Sequence, residues 1–187
     1  IMTNENKSFY FRLPTRELVP NNVPDEAPAI LSDDIRGKID AWLLRYPPDQ
    51  KRSGVLEALR LVQEANGGYL TVSLMDAVAA YLEIPKIAVY EVAAFYTMYH
   101  LNPVGRHVIH LCTNISCQLN GAEEIVEHVK ARLGIDMNET TADGQFTLRE
   151  VECLGACIAP PVGLINKQFY ENITVERIDD LINELKG

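Results

Sequence analysis

The sequence predicts an α/β chain in which a bundle of short helices precedes a smaller sheet domain, and three observations predict it. Apolar residues recur at helical spacing from Ser32 to about Tyr99. After Gly105 the pattern turns to strand-like runs, and all four cysteines fall between 112 and 157, inside that second pattern. A length of 187 residues admits one large domain or two small ones. The expected division is an extended arm at 1–31, a helical bundle at 32–104 and a sheet domain at 105–187.

In the arm, Pro14, Pro20, Pro24 and Pro28 interrupt a weak apolar pattern and leave no room for a useful helix, while Phe9-Tyr10-Phe11 offers an anchor for a partner surface. Ser32 followed by Asp33 and Asp34 then predicts a capped helix start, with Ile35, Ile39, Trp42 and Leu43 on one face and Pro47-Pro48 as the stop. Val55, Leu56, Leu59, Val62 and Ala65 share the face of a second helix, ended by Gly67-Gly68. Ser73 with Asp76 three positions on resembles a capping box for a third helix, which carries Met75, Val78, Ala79 and Leu82. Pro85 suits the first position of a fourth, continued by Val89, Val92, Ala93 and Tyr96. Helices this short are marginal alone, so they are expected to pack on one another.

His107 to Cys112 reads as a buried strand, Gly121 to Leu133 as a helix with Ile125, Val126, Val129 and Leu133 inward, and Phe146 to Val151 as a second strand. Pro161–Asn166 and Phe169–Glu171 read as two short strands turning at Lys167-Gln168, and Thr174 caps a last helix running to Lys186. Strand, helix, strand, strand, strand, helix is the order of a βαβ unit followed by a hairpin and a covering helix, the thioredoxin-like arrangement. No internal repeat is evident.

Composition narrows function. With 26 acidic against 17 basic side chains and a net charge of -9, the chain repels phosphate backbones, so no nucleic-acid partner is expected. No apolar run is long enough to span a bilayer, so direct membrane insertion is not expected either. The first residues lack the apolar core of a signal peptide and the Arg-rich character of a transit peptide, which predicts a chain kept in a reducing compartment. Clustered cysteines there bind metal or do redox chemistry more readily than they form disulfides. Gly67-Gly68 follows a helix without further spaced glycines, so no nucleotide site is expected on this chain.

The informative constellation is Cys112-x4-Cys117 and Cys153-x3-Cys157. If Cys112 and Cys153 end parallel strands, the two pairs converge on one edge of the sheet, where Ser116, Gly155 and Ala156 let backbone N–H groups approach the sulfurs. Structural zinc normally uses tight C-x2-C knuckles, and thioredoxin-type exchange needs C-x-x-C; neither is present. An iron–sulfur cluster takes four thiolates at wider spacings, and C-x4-C is the first gap of plant-type ferredoxins. His110, two residues before Cys112, brings a Rieske-type ligand to mind, but a second placed histidine is needed and thiols would go unused. His100, His107 and His128 read as packed or surface residues, and the aromatics Tyr90, Phe95, Tyr96 and Tyr99 as core unless exposed. Spacing favours [2Fe-2S] and leaves zinc open.

Cys112-Thr-Asn-Ile-Ser-Cys117-Gln-Leu-Asn-Gly121 with Glu152-Cys153-Leu-Gly-Ala-Cys157 resembles the thioredoxin-like [2Fe-2S] subunit of the NADH dehydrogenase module of respiratory complex I, which some hydrogenases and formate dehydrogenases share. The likeness runs from about residue 35 to 187 through Gly67-Gly68-Tyr69, Val92-Ala-Ala-Phe-Tyr96 and Pro103-Val-Gly-Arg-His107. It implies that Cys112, Cys117, Cys153 and Cys157 ligate one [2Fe-2S] cluster, that FMN and NADH are bound by a partner flavoprotein subunit, and that the cluster exchanges single electrons with that FMN. Further peripheral-arm subunits are implied as partners, on the cytoplasmic side of a bacterial inner membrane or the matrix side of a mitochondrial one. An oxidised cluster of this kind is already a dianion, so an acidic protein is expected to lower its potential. Two residues depart from the family's pattern: a proline stands early in Cys157-Ile-Ala-Pro160-Pro161, where a cis bond is expected, and Lys167 replaces a usual acidic residue. The alternatives that remain are the same module in an NAD-linked hydrogenase or formate dehydrogenase, a free-standing ferredoxin and a zinc-stabilised interaction module.

Overall fold

A computed structural model describes residues 31–186. The prolines of the arm and Phe9-Tyr10-Phe11 lie outside the described residues. Helix α1 (Asp33–Leu43) starts as expected, with Ser32 Oγ accepting the Ile35 N–H at 3.4 Å and Asp33 and Asp34 in the first turn. A 3-10 turn at Lys51–Gly54, too short to carry a period, leads into α2 (Val55–Ala65). Gly67 and Gly68 both have positive φ, and the Gly68 N–H returns to the Gln63 carbonyl at 2.8 Å, closing the helix.

The start of α3 (Val72–Leu82) corrects the capping expectation. Thr71, not Ser73, is the cap: its backbone is extended and its Oγ1 accepts the Leu74 N–H at 3.2 Å. Asp76 is instead taken by tertiary partners, Lys86 Nζ at 2.7 Å and the Tyr90 hydroxyl. Pro85 caps α4 (Lys86–Phe95) one position before the helix rather than opening it, and Tyr96 has already left the helical conformation. The four helices bury Ile39, Leu59, Val62, Val78, Leu82 and Val89 around Leu70 and Tyr99. The Tyr99 hydroxyl donates to the Leu56 carbonyl at 2.7 Å, so its polar end is satisfied inside that core.

The connection to the sheet is bonded to both sides. The His100 carbonyl accepts the Leu70 N–H and its N–H donates to Gln63 Oε1, each at 2.7 Å, while the His100 ring stacks on His110 with centroids 5.9 Å apart. Gly105 then passes so close to the sheet that a Cβ would lie 2.8 Å from the Phe146 carbonyl carbon.

Beyond it run β1 (His107–Cys112), α5 (Ile115–Leu119), α6 (Ala122–Leu133), β2 (Phe146–Val151), β3 (Gly163–Ile165), β4 (Gln168–Tyr170) and α7 (Val175–Lys186). The sheet order is β2-β1-β3-β4, with β1 and β2 parallel and β3 antiparallel to both its neighbours. This is the expected thioredoxin-like order, with two local differences. Helix α5 was not legible, and β3 begins at Gly163, with its turn at Asn166-Lys167 rather than Lys167-Gln168. Asn166 makes that turn by adopting φ 54° while its Oδ1 accepts the Val108 N–H at 3.0 Å. The Pro160–Pro161 bond is cis, as expected. Helices α6 and α7 cover the sheet with Ile125, Val129, Ile178, Leu181 and Ile182 against Ile109, Phe146 and Leu148. No helix among the described residues is long and apolar enough to cross a membrane.

Candidate metal centre

The parallel pairing of β1 with β2 decides where the cysteines go. Cα partners run from His107 and Phe146 to Cys112 and Val151, so both strands end at the same edge. Each cysteine pair occupies the loop leaving one strand. Cys112 is the last residue of β1 and Cys117 lies in α5; both are buried, with Ala122 and Val162 around them. Cys153 and Cys157 follow β2 in an irregular loop and are exposed.

The four thiols come as two pairs. Cys112 lies beside Cys117 and Cys153 beside Cys157, and Cys157 lies within electrostatic reach of Cys112 and Cys117. Among the described residues, no three His, Cys, Asp or Glu side chains group closely enough to hold one metal ion. Burial, and then the Cys112 neighbour, push the Cys117 thiol up to about 11, while the nearby Cys153 raises Cys157. Thiols so crowded in an acidic chain resist ionising together unless cations replace their protons.

Donors to sulfur are in place. The Gly155 N–H donates to Cys153 Sγ at 3.3 Å, where Gly155 takes φ 74°, and the Val162 backbone lies close enough to Cys117 to favour its thiolate against burial. Such bonds stabilise a thiolate and tune a bound metal. Ser116 donates from Oγ to the Cys157 carbonyl at 3.4 Å. Two thiol pairs at one sheet edge, with an amide donor to sulfur, are by their chemistry a donor set suited to a dinuclear iron–sulfur group, which takes two thiolates per iron.

The histidines stay apart from this chemistry. Burial, and then the charge of Arg149, push His110 down to about 4, and its ring faces His100. The His107 ring lies tilted against Phe146, with Nδ1 3.2 Å from Asn166 Nδ2. His128 pairs with Asp179 at 2.9 Å between α6 and α7. Apolar side chains ring the thiol loops at the surface: Ile115 is 70% exposed, Leu119 81% and Ile158 94%. A second apolar patch lies on and just after α4, where Ile87, Phe95 and Met98 are exposed, so part of the aromatic run is surface rather than core. Sequence periodicity missed these rims because α5 is a single short helix and Ile158 lies in a loop.

Comparison with known proteins agrees with the geometry. Residues 39–186 match the thioredoxin-like [2Fe-2S] ferredoxin family. The chain is 46% identical over 143 residues to an NADH-quinone oxidoreductase subunit of Rickettsia bellii, covering 76% of this chain and 86% of that protein. It is 40% identical over 150 residues to the mitochondrial NADH dehydrogenase [ubiquinone] flavoprotein 2 of Dictyostelium discoideum, covering 80% of this chain and 61% of that one. Among solved structures, an NAD+-reducing [NiFe]-hydrogenase in the H2-reduced state shares the fold with a TM-score of 0.60 at 23% identity, over 68% of this chain and 22% of the hydrogenase chain.

Proposed function

Because the chain belongs to the thioredoxin-like [2Fe-2S] ferredoxin family, we propose that it is the electron-transfer subunit of an NADH:quinone oxidoreductase, with Cys112, Cys117, Cys153 and Cys157 holding one [2Fe-2S] cluster. The observation that carries this reading is the parallel pairing of β1 with β2, which delivers the two thiol pairs to one edge of the sheet. When bound, the cluster supplies one-electron chemistry.

The chain's own residues do the rest. Cys112 and Cys117 present their sulfurs from the buried side, and Cys153 and Cys157 from the solvent side. The Gly155 amide donates to sulfur and the Val162 backbone favours the Cys117 thiolate, and both favour the added negative charge of reduction, whereas the net charge of -9 opposes it. Ile115, Leu119 and Ile158 form an apolar rim that excludes water once a partner docks. The partner proposed is the flavoprotein subunit that binds FMN and NADH, which passes electrons singly to this chain, in the company of further peripheral-arm subunits. The α4 patch and the helical unit at 32–104 extend that docking surface beside the sheet unit at 105–187, and the assembly sits at the cytoplasmic or matrix face of its membrane.

Anaerobically purified protein is expected to be red-brown, to contain iron and sulfide in equal amounts, and to give a two-iron EPR signal on reduction. Co-purification with a flavin-containing chain supports the partner. A colourless protein holding one zinc ion overturns the cluster reading in favour of a zinc-stabilised module, and a red protein without a flavoprotein partner points to a free-standing ferredoxin.

A further inference from the structure

The two cysteine loops are held to each other by polar bonds that involve no sulfur. Just beyond β1, Thr113 still follows the ladder: its N–H reaches the Val151 carbonyl at 3.4 Å and its Oγ1 the Glu150 carboxylate at 2.5 Å. The next residue leaves the ladder and bridges the loops. Asn114 Nδ2 donates at 2.9 Å to the carbonyl of Glu152, the residue before Cys153, while Asn114 Oδ1 accepts the Ile115 N–H at 2.9 Å at the start of the helix that carries Cys117. Two residues on, Ser116 Oγ donates to the carbonyl of Cys157.

We propose that Asn114 is a positioning residue that fixes the separation of the two thiol pairs, an inference that rests on reading the four cysteines as ligands of one cluster. An amide is the side chain this position requires. It carries an acceptor and a donor on two atoms of one rigid planar head, so it can cap α5 and grip Glu152 at once. Aspartate supplies only the acceptor. Serine caps the helix but is too short to offer a second atom across the gap. The bond matters because the Cys153 loop has no secondary structure of its own, and Cys153 and Cys157 are exposed. Its distance from the buried pair is therefore set by what ties it to the first loop.

The test separates gripping from capping in the full chain. Asn114→Ser and Asn114→Asp keep a helix cap and lose the amide donor, whereas Asn114→Ala loses both. The readouts are the half-life of the visible absorbance under an iron chelator, the EPR signal of the reduced protein, and the thermal midpoint of the apoprotein. All three variants are expected to lose the cluster about five- to tenfold faster than wild type, the factor set by one cross-loop hydrogen bond. Ser and Asp are expected to lower the apoprotein midpoint less than Ala does, because they keep the cap, and to alter the EPR line shape. Wild-type half-life and line shape in the Ser and Asp variants overturn the proposal, since capping alone then suffices. A wild-type chain that purifies with zinc and without iron defeats the cluster reading instead, and is recognised before any variant is made.

Discussion

Lys167 Nζ lies 2.6 Å from Glu64 Oε1, so the turn between β3 and β4 is held against the last turn of α2. Glu64 also accepts from Arg60, which in turn grips Glu57. Burial works to raise the Glu64 carboxyl, but the hydrogen bonds from Lys167 and Arg60 outweigh it and hold the group below its ordinary value. An acidic residue at 167 would face that carboxylate with like charge, so the departure noted at this position has a partner 103 residues away.

Lys167→Glu is expected to lower stability by about 0.5–1 kcal/mol at low salt, since the pair is largely exposed and such pairs are weak. The loss should shrink at about 1 M salt, where the screening length falls to ~3 Å. Urea unfolding at the two salt concentrations measures both effects, and an equal loss in each shows that charge is not the cause.

Asp76 is held below its ordinary carboxylate value, first by the hydrogen bond from Lys86 and then by that from Tyr90. A group depressed in the folded state contributes stability above its unfolded value, near 3.8, and loses it as pH falls through the lower folded value. Asp76→Asn should therefore cost about 1 kcal/mol at neutral pH. The gap between variant and wild type should narrow below pH 3.8. Thermal midpoints across that range decide it; a gap independent of pH assigns the cost to packing.

Gly105→Ala is expected to destabilise by about 1–3 kcal/mol, because the new Cβ meets backbone atoms of Phe146 that no rotamer can move aside. The Gly105 N–H also donates to Thr147 Oγ1 at 2.6 Å, a bond that any shift away from Phe146 stretches. Chemical unfolding gives the number, and a wild-type midpoint would show that the segment has room to retreat.

Cys153→Ser should lose or greatly weaken the cluster, whereas His110→Ala should leave the visible spectrum nearly unchanged, because the His110 ring faces His100. Iron content and visible absorbance of the two variants settle the assignment. A normal spectrum in Cys153→Ser removes that residue from the ligand set.

The order of elements and the shared sheet edge of the two cysteine loops were legible because both follow from period and from strand direction. Apolar runs located β1 and β2, and parallel pairing then sends Cys112 and the Cys153 loop to one edge. What escaped was decided by partners distant in sequence. Ser73 and Asp76 have capping-box spacing, yet Asp76 is engaged by Lys86 and Tyr90 and the cap falls to Thr71. Helix α5 is too short for a period, and the bonds from Asn114 and Ser116 reach residues 38 and 41 positions away. The exposure of Phe95 could not be told from the burial of Tyr99, four residues later in the same aromatic run.

The apolar layer between α6, α7 and the sheet contains none of the four thiols, which belong to a separate small cluster at the sheet edge or lie exposed. The main core of the sheet unit is therefore expected to survive substitution of any one of the four cysteines, in contrast to small domains that collapse only around their ion.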